Sequence, residues 1–341
     1  MEHGQEVVIS MRAPRSWFGA PAVVDPVACD GVCALPGSPY ALVYGTGQEP
    51  RLWRAGAALP RRCAELVAHR ATLLPSGQSG VPALLEVTGR DGTGRVRTRV
   101  SAPPDGCPGP WTAPAHAPAG MGALGLAQVT GRWVLLVGVA RGTCAMWDPG
   151  TAELRALPEA TAHTRPLLRT LVAGPPQRPL AVVATSAWQW EDDDEGGYTR
   201  ELFYAVVYDL TTAEIAFRID GLNVDALCAV GQTPQGWLIA AATEPLHTIR
   251  FFDALTGIAQ ETAIRHGDDL TALAVGSHRP GGHPVLVTGT EEGQVRAWDV
   301  RDGRARGAWQ VDDYVNDLAV HPDMGLLVAT DSGLRVLPPA P

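Results

Sequence analysis

From Leu270 to Val311 the chain runs through four short apolar-polar stretches, LTALAVGS, PVLVTGT, QVRAWDV and ARGAWQV, punctuated by Gly, Pro and Asp. Side chains that alternate with a period of two suit a strand with one face inward, so this segment predicts four consecutive strands. No stretch of the chain sustains a 3.6-residue period, and no apolar run is long enough for a membrane helix.

The third of these runs carries Trp298-Asp299 just before a turn, and similar pairs recur. They are Trp147-Asp148, Tyr208-Asp209 and Phe252-Asp253, with Trp53-Arg54 as a weaker copy. Phe252 to Trp298 is 46 residues, Tyr208 to Phe252 is 44, and Trp53 to Trp147 is 94, or two units of 47. Trp147 to Tyr208 is 61, which marks an insertion of roughly 15 residues in that unit. A unit of four strands at this period is the size of one propeller blade.

On these residues the chain resembles the WD40-repeat family of β-propellers. The resemblance implies an all-β, seven-bladed propeller of four-stranded antiparallel blades, forming one domain over 1–341. Its blades would begin near residues 29, 65, 113, 162, 221, 266 and 312. The last would be closed by an N-terminal strand, Gln5–Met11. It further implies a hydrogen-bonded structural tetrad in the sixth unit, made of His266, Thr288, Glu292 and Trp298, with Glu where the family usually has Asp. His69 with Thr88 in the second unit, and His163 with Thr185 in the fourth, are partial copies. Physically, such a tetrad ties a loop to two strands and gives buried polar groups their partners.

Composition narrows the function. Net charge is −9 and all 27 basic residues are Arg. An acidic chain lacks the basic face that nucleic acids require. Without Lys there is no P-loop lysine and no Schiff-base chemistry. The Lys-free, Ala-, Gly-, Pro- and Arg-rich usage resembles that of proteins from GC-rich bacteria. With no basic flank and apolar run at Met1–Ser10, the expectation is a cytoplasmic protein with no membrane partner. The six scattered cysteines then read as reduced thiols, and Cys29-x3-Cys33 lacks a second ligand pair for zinc. RPGGHP at 279–284, with His283 in it and His278 just before it, reads as a loop between strands rather than a metal site. GRDGTG, at 89–94, lies between two predicted strands and reads as a hairpin turn. No Gly-x-Ser-x-Gly elbow is present. No cofactor, metal or catalytic residue is therefore assigned.

The break in the period, SAWQWEDDDEGGYTRE at 186–201, is the strongest pointer to function. It falls between the second and third strands of the fourth unit, where a propeller projects its top loops. Trp188, Trp190 and Tyr198 flank five consecutive acids, Glu191, Asp192, Asp193, Asp194 and Glu195. Aromatic anchors inside a charged rim suit a binding surface. A solvated hairpin and a cation held by Asp192–Asp194 are the other readings of the stretch. Asp268, Asp313 and Tyr314 are expected on the same face. The reading is a monomeric, non-catalytic scaffold that holds a basic protein or peptide on an acidic top face. The alternative is a propeller enzyme, with Asp268, Asp313, Glu292 and His266 doing acid–base work at the channel mouth.

Overall fold

A computed structural model of the protein describes residues 22–34, 40–45, 51–54, 61–62, 68–74, 83–90, 96–101, 122–138, 144–148, 151, 153–158, 169–191, 198–233, 235–243, 248–276, 283–322 and 324–338. All regular structure among them is β. In chain order the strands are β1 (Ala22–Asp25), then β2 (Gly31–Ala34), β3 (Tyr40–Tyr44), β4 (Arg51–Arg54) and β5 (Arg61–Arg62). Next come β6 (Ala68–Leu74), β7 (Ala83–Arg90) and β8 (Val96–Ser101), followed by β9 (Gly122–Val129), β10 (Arg132–Gly138), β11 (Cys144–Asp148) and β12 (Glu153–Ala156). The insertion-bearing unit holds β13 (Arg169–Ala173), β14 (Leu180–Glu191), β15 (Tyr198–Asp209) and β16 (Glu214–Asp220). The next two units hold β17 (Leu222–Thr233), β18 (Gly236–Thr243), β19 (Thr248–Asp253), β20 (Ala259–Arg265), β21 (Leu270–Gly276), β22 (Val285–Thr290), β23 (Gln294–Asp299) and β24 (Ala305–Gln310). The chain ends with β25 (Val315–His321), β26 (Gly325–Thr330) and β27 (Gly333–Leu337).

These strands make six four-stranded antiparallel blades, five from consecutive strands and one with the order β1-β27-β26-β25. A further sheet, β6-β7-β8, has three strands. The expected count of seven four-stranded blades is thus corrected to six. Residues 102–121, which follow β8, lie outside the described residues. The expected closing strand also changes. Gln5–Met11 lies outside the described residues, and the strand paired with β27 is Ala22–Asp25, through Ala22↔Val336 and Val23↔Arg335. Ala-Val-Val is a compact β-forming run, and Asp25-Pro26 ends it one short loop before β2. Among the described residues no helix is long and apolar enough to cross a membrane.

The β13–β16, β17–β20, β21–β24 and β25–β27 sheets bury both faces against their neighbours, so their inner and middle strands read as nearly continuous apolar runs. First strands pack side by side: β9 on β13, β13 on β17, β17 on β21, β21 on β25, and β25 on β2. One core joins Val182, Ala184, Ala205 and Val207 of the β13–β16 blade to Leu227, Ile239 and Phe252 of the next. Another joins Val287, Val295 and Ala297 to Val315, Leu318 and Val328. At this seam Gly289 is required by space, because a Cβ there would lie 2.4 Å from the Val315 side chain. The aromatic of every recurrent pair is buried: Trp53, Trp147, Tyr208, Phe252 and Trp298.

The Asp that follows four of these aromatics, Trp147, Tyr208, Phe252 and Trp298, has a local task. Its carboxylate accepts a backbone N–H in the turn between third and fourth strands, closing an Asx turn. The donors are Thr151 to Asp148, Thr211 to Asp209, Leu255 to Asp253 and Arg301 to Asp299, at 2.9–3.3 Å. Asp299 also takes Arg301 and Arg306 guanidinium bonds at 2.7 Å, and Asp209 takes Arg178 at 2.7 Å. The Arg301 bond holds the Asp299 carboxyl well below the usual carboxylate range. For Asp209, burial pushes the other way, but the Arg178 and Thr211 bonds outweigh it and the net direction is down. A depressed folded pKa gives stability that is present above the unfolded value of about 3.9 and lost as pH falls through the folded value. The denaturant midpoint is therefore expected to hold from neutral pH to about 5 and to fall below about 4. Asp299→Asn should flatten that fall, and an unchanged acid slope would remove Asp299 from the account.

The seam between the last blade and β2–β5 carries an ion pair that no repeat pattern announces. Arg51 on β4 donates its Nε to Asp25 Oδ2 at 2.5 Å, with side chains only 10% and 4% exposed. Its Nη2 reaches the carbonyls of Val27 and Ala28 at 3.3 and 3.4 Å. Asp25 in turn accepts the Val27 amide at 3.1 Å. Cys29 lies buried beside this pair, and burial pushes its thiol up to about 12; burial does the same for Cys144.

Candidate functional site

The ends of the blades that carry second-to-third-strand turns and blade-to-blade connections form one surface, called the top face below. Its best-described part is built by the β21–β24 and β25–β27 units. The turn after β22 packs onto the loop before β25. Gly293, at φ +77°, brings its Cα so close to Asp313 that a Cβ would lie 2.5 Å from the Asp313 carbonyl oxygen. The Val311 amide donates to the Gly293 carbonyl at 2.9 Å, and Gln310 Nε2 donates to the Glu292 carbonyl at 2.7 Å. Asp313 then fixes the next turn, accepting the Ser332 amide at 2.7 Å and the Tyr314 amide at 3.0 Å. Burial raises the Asp313 pKa, but hydrogen bonds from the Ser332 and Thr330 side chains, together with these amides, outweigh it and hold the carboxyl low. Asn316 Nδ2 continues the chain of contacts, donating to Asp331 Oδ1 at 2.8 Å and to the Cys29 carbonyl at 3.1 Å.

Of the four tetrad positions, Thr288 and Trp298 are joined directly. The indole Nε1 donates to Thr288 Oγ1 at 3.1 Å, with both side chains buried. The His266 ring meets Trp298 edge-on, with centroids 5.8 Å apart. The carboxylate beside His266 is Asp268, whose Oδ2 lies 3.6 Å from Nδ1 and 3.6 Å from Arg296 Nη2. Arg296 locks the loop by donating to the His266 carbonyl at 2.8 Å. Glu292 occupies the expected turn with an exposed side chain. Asp268, expected on the top face, thus stands beside His266 where the tetrad implied Glu292, and Arg296, two residues before Trp298, is a partner that the sequence did not announce.

The register explains why other units keep only fragments. Trp298 opposes Leu286, and the hydroxyl lies two residues further along β22, at Thr288. In the β13–β16 blade Tyr208 opposes Ala181, so the equivalent position is Val183, not Thr185. Tyr208 instead donates its hydroxyl to the Pro158 carbonyl at 3.1 Å. His163 and the side chains of His69 and Thr88 lie outside the described residues. Thr288→Val should cost about 1–3 kcal/mol, because it leaves a buried indole N–H without its acceptor. Urea unfolding would measure this, and a change within about 0.5 kcal/mol would mean the bond is not structural.

The insertion extends the blade itself. β14 and β15 each run 12 residues and stay paired through Trp188↔Glu201, Trp190↔Thr199 and Glu191↔Tyr198. By register Trp188 and Trp190 share one face of this ribbon, and Tyr198 lies across from Glu191. Asp192, Asp193, Asp194 and Glu195 lie outside the described residues. Near its base, Ser186 Oγ donates to Glu201 at 2.6 Å. Among the described residues, the exposed acids elsewhere on the top face include Asp30, Asp220, Asp269, Glu291, Glu292, Asp312 and Asp331, while Asp268 and Asp313 are half-buried. Asp312 holds its backbone at φ +50°, and Tyr314 beside it is 37% exposed. Among the described residues no three His, Cys, Asp or Glu side chains gather as a metal site.

No protein-family model matches the chain. Over 114 residues it is 30% identical to the Target of rapamycin complex subunit wat1 of Schizosaccharomyces pombe. The matched stretch is 33% of this chain and 34% of that protein, so the chain spans about a third of the relative it matches. The blade architecture and this partial match together support a WD40-type β-propeller.

Proposed function

We propose that the chain is a non-catalytic propeller scaffold that holds a basic protein or peptide segment on its top face. The observation that carries this reading is the accumulation of exposed carboxylates there, at Asp30, Asp269, Glu291, Glu292, Asp312 and Asp331, on the side where the β14–β15 ribbon projects. The interlocked turns beneath them make a stiff floor, so little ordering cost opposes binding. Asp268, Asp313 and Tyr314, with Trp188, Trp190, Tyr198 and the acids from Glu191 to Glu195, form the proposed contact surface. The similar fission-yeast protein is named as a subunit of a complex, which agrees with a protein partner. The same reading takes the chain as one monomeric, cytoplasmic domain, and the Lys-free composition supports a GC-rich bacterial source.

The proposed acid–base alternative has less support. Asp313 is fixed by two backbone amides, and Asp268 faces an arginine as well as His266. Both arrangements suit anchoring of loops better than proton transfer.

The test is affinity capture from the native host at low and moderate salt. A partner should be retained at low salt, released as ionic strength rises, and lost when Asp192, Asp193 and Asp194 are all replaced by Asn. Equal recovery with the triple variant and the natural chain, at every salt concentration, would reject the acidic surface as the contact.

A further inference from the structure

The hairpin between β26 and β27 carries a cation and a hydroxyl that the blade itself leaves incomplete. Asp331 and Ser332 form its two-residue tip, beyond the last pair Thr330↔Gly333, and both are exposed on the top face. Arg335, three residues after Ser332, is half-buried and opposes Val328 on one side and Val23 on the other. Its Nη2 donates to Ser332 Oγ at 3.0 Å. Its Nε is buried with no hydrogen-bond partner, and among the described residues no carboxylate stands within ion-pair distance of the guanidinium. Arg51, Arg178, Arg301 and Arg306 each have such a partner. A guanidinium drawn out of water and matched only by a neutral hydroxyl lacks the anion that such burial calls for.

The surroundings decide which anion. The Ser332 amide donates to Asp313 Oδ2 at 2.7 Å, and the Ser332 side chain bonds the same carboxylate. Asp331 adjoins it, held by Asn316. A free anion, or a carboxylate of a partner, would meet repulsion from both acids and from a chain of net charge −9. One ion pair at a surface contributes too little to outweigh that. A covalently attached anion needs no such affinity, because its donor drives the transfer. Ser332 Oγ is the exposed nucleophile at this place. Arg335 Nη2 already stands 3.0 Å from it, so the oxygens of a phosphoryl group on Oγ fall within reach of the same guanidinium.

We propose that Ser332 is a phosphorylation site and that Arg335 is its built-in clamp. A protein kinase takes the hydroxyl proton onto its own base. Ser332 Oγ bonds to the γ-phosphorus of a nucleoside triphosphate, the bond from that phosphorus to the β,γ-bridging oxygen breaks, and the nucleoside diphosphate leaves with the electron pair. The turn then exchanges partners. A phosphoryl group of about −1.5 to −2 charge is repelled by Asp313 and drawn to Arg335. Ser332 leaves Asp313, and the turn at 311–314 loses its tie to the hairpin. The modification thus sets how firmly two top-face turns are locked, whether or not that face holds a basic segment.

Two measurements test this. The full chain is isolated from its native host, from growing and from starved cells, and the tryptic peptide 307–335 is fragmented. A phosphoryl group on Ser332 that phosphatase removes is expected. Its absence in every growth state, or phosphorylation of Thr330 or Tyr314 alone, overturns the proposal. The second measurement follows the phosphorus resonance of the full chain, with phosphoserine placed at 332 during translation, as pH is varied. The second ionisation of phosphoserine, ordinarily near about 6, should lie about one pH unit higher in Arg335→Gln than in the chain with Arg335, because the neighbouring cation favours the dianion. Arg335→Lys keeps the charge and should titrate with the Arg335 chain. Equal titration of the Arg335 and Gln chains overturns the clamp, as does unchanged amide exchange at 311–314 when phosphoserine replaces Ser332.

Discussion

Arg51→Ala is expected to destabilise the propeller by about 3–5 kcal/mol, the cost of leaving a buried charge without its partner. Asp25 would keep only the Val27 amide in a site where its side chain is 4% exposed. The loss is larger than a typical surface substitution because the pair spans a seam. Asp25 ends β1, and Arg51 begins the third strand of the β2–β5 blade. Equilibrium urea unfolding measures the effect as a lower midpoint. Replacing both residues together, Arg51→Met with Asp25→Leu, should recover part of the loss, since neither charge is then stranded. A single variant within about 0.5 kcal/mol of the natural chain would mean that water reaches Asp25.

Gly333→Ala acts on the same seam through the backbone and is expected to cost about 2–5 kcal/mol, strain and overpacking combined. Gly333 has φ +129°, a conformation side chains rarely adopt. A Cβ there would lie 1.8 Å from the Asp25 carbonyl oxygen, which is backbone and cannot rotate aside. Either β27 must change its entry or β1 must leave it. Amide exchange distinguishes these outcomes. The account predicts that Ala22 and Val23 lose protection while β25 and β26 keep theirs. Unaltered protection along β1 would show that its pairing with β27 does not depend on this close approach.

Much of this architecture was legible because a blade cannot hide its period. A buried aromatic followed by Asp recurs in β11, β15, β19 and β23, because there the third strand places a large side chain in an inter-blade core and ends in an Asx turn. Tyr208 and Phe252 serve as well as Trp298, so the spacing survives where the letters do not. Features that depend on register were not legible. Thr185 looks like a tetrad hydroxyl by its place in the sequence, yet Tyr208 opposes Ala181 and puts Val183 at the matching position. Residues that act across a seam have no local signature either. Arg51 and Asp25 are 26 positions apart and lie on strands of different sheets, β4 and β1. Asp268 was legible as a top-face acid near His266, but not as the carboxylate that takes the place expected of Glu292, because that depends on the path of the loop. For the insertion, the sequence marked its place and charge, whereas the continuous 12-residue pairing of its arms emerged only from the backbone.

The top face is tested most directly by hydrogen–deuterium exchange of the full chain with and without an octapeptide that alternates Arg and Val. The account predicts slower exchange in the ribbon at 186–203 and in the turns at 265–269, 290–293 and 311–314. Exchange in the opposite turns, at 176–179, 209–213, 254–258 and 300–304, should not change. Protection confined to those opposite turns, or no change anywhere at saturating peptide, would contradict a basic segment held on the top face.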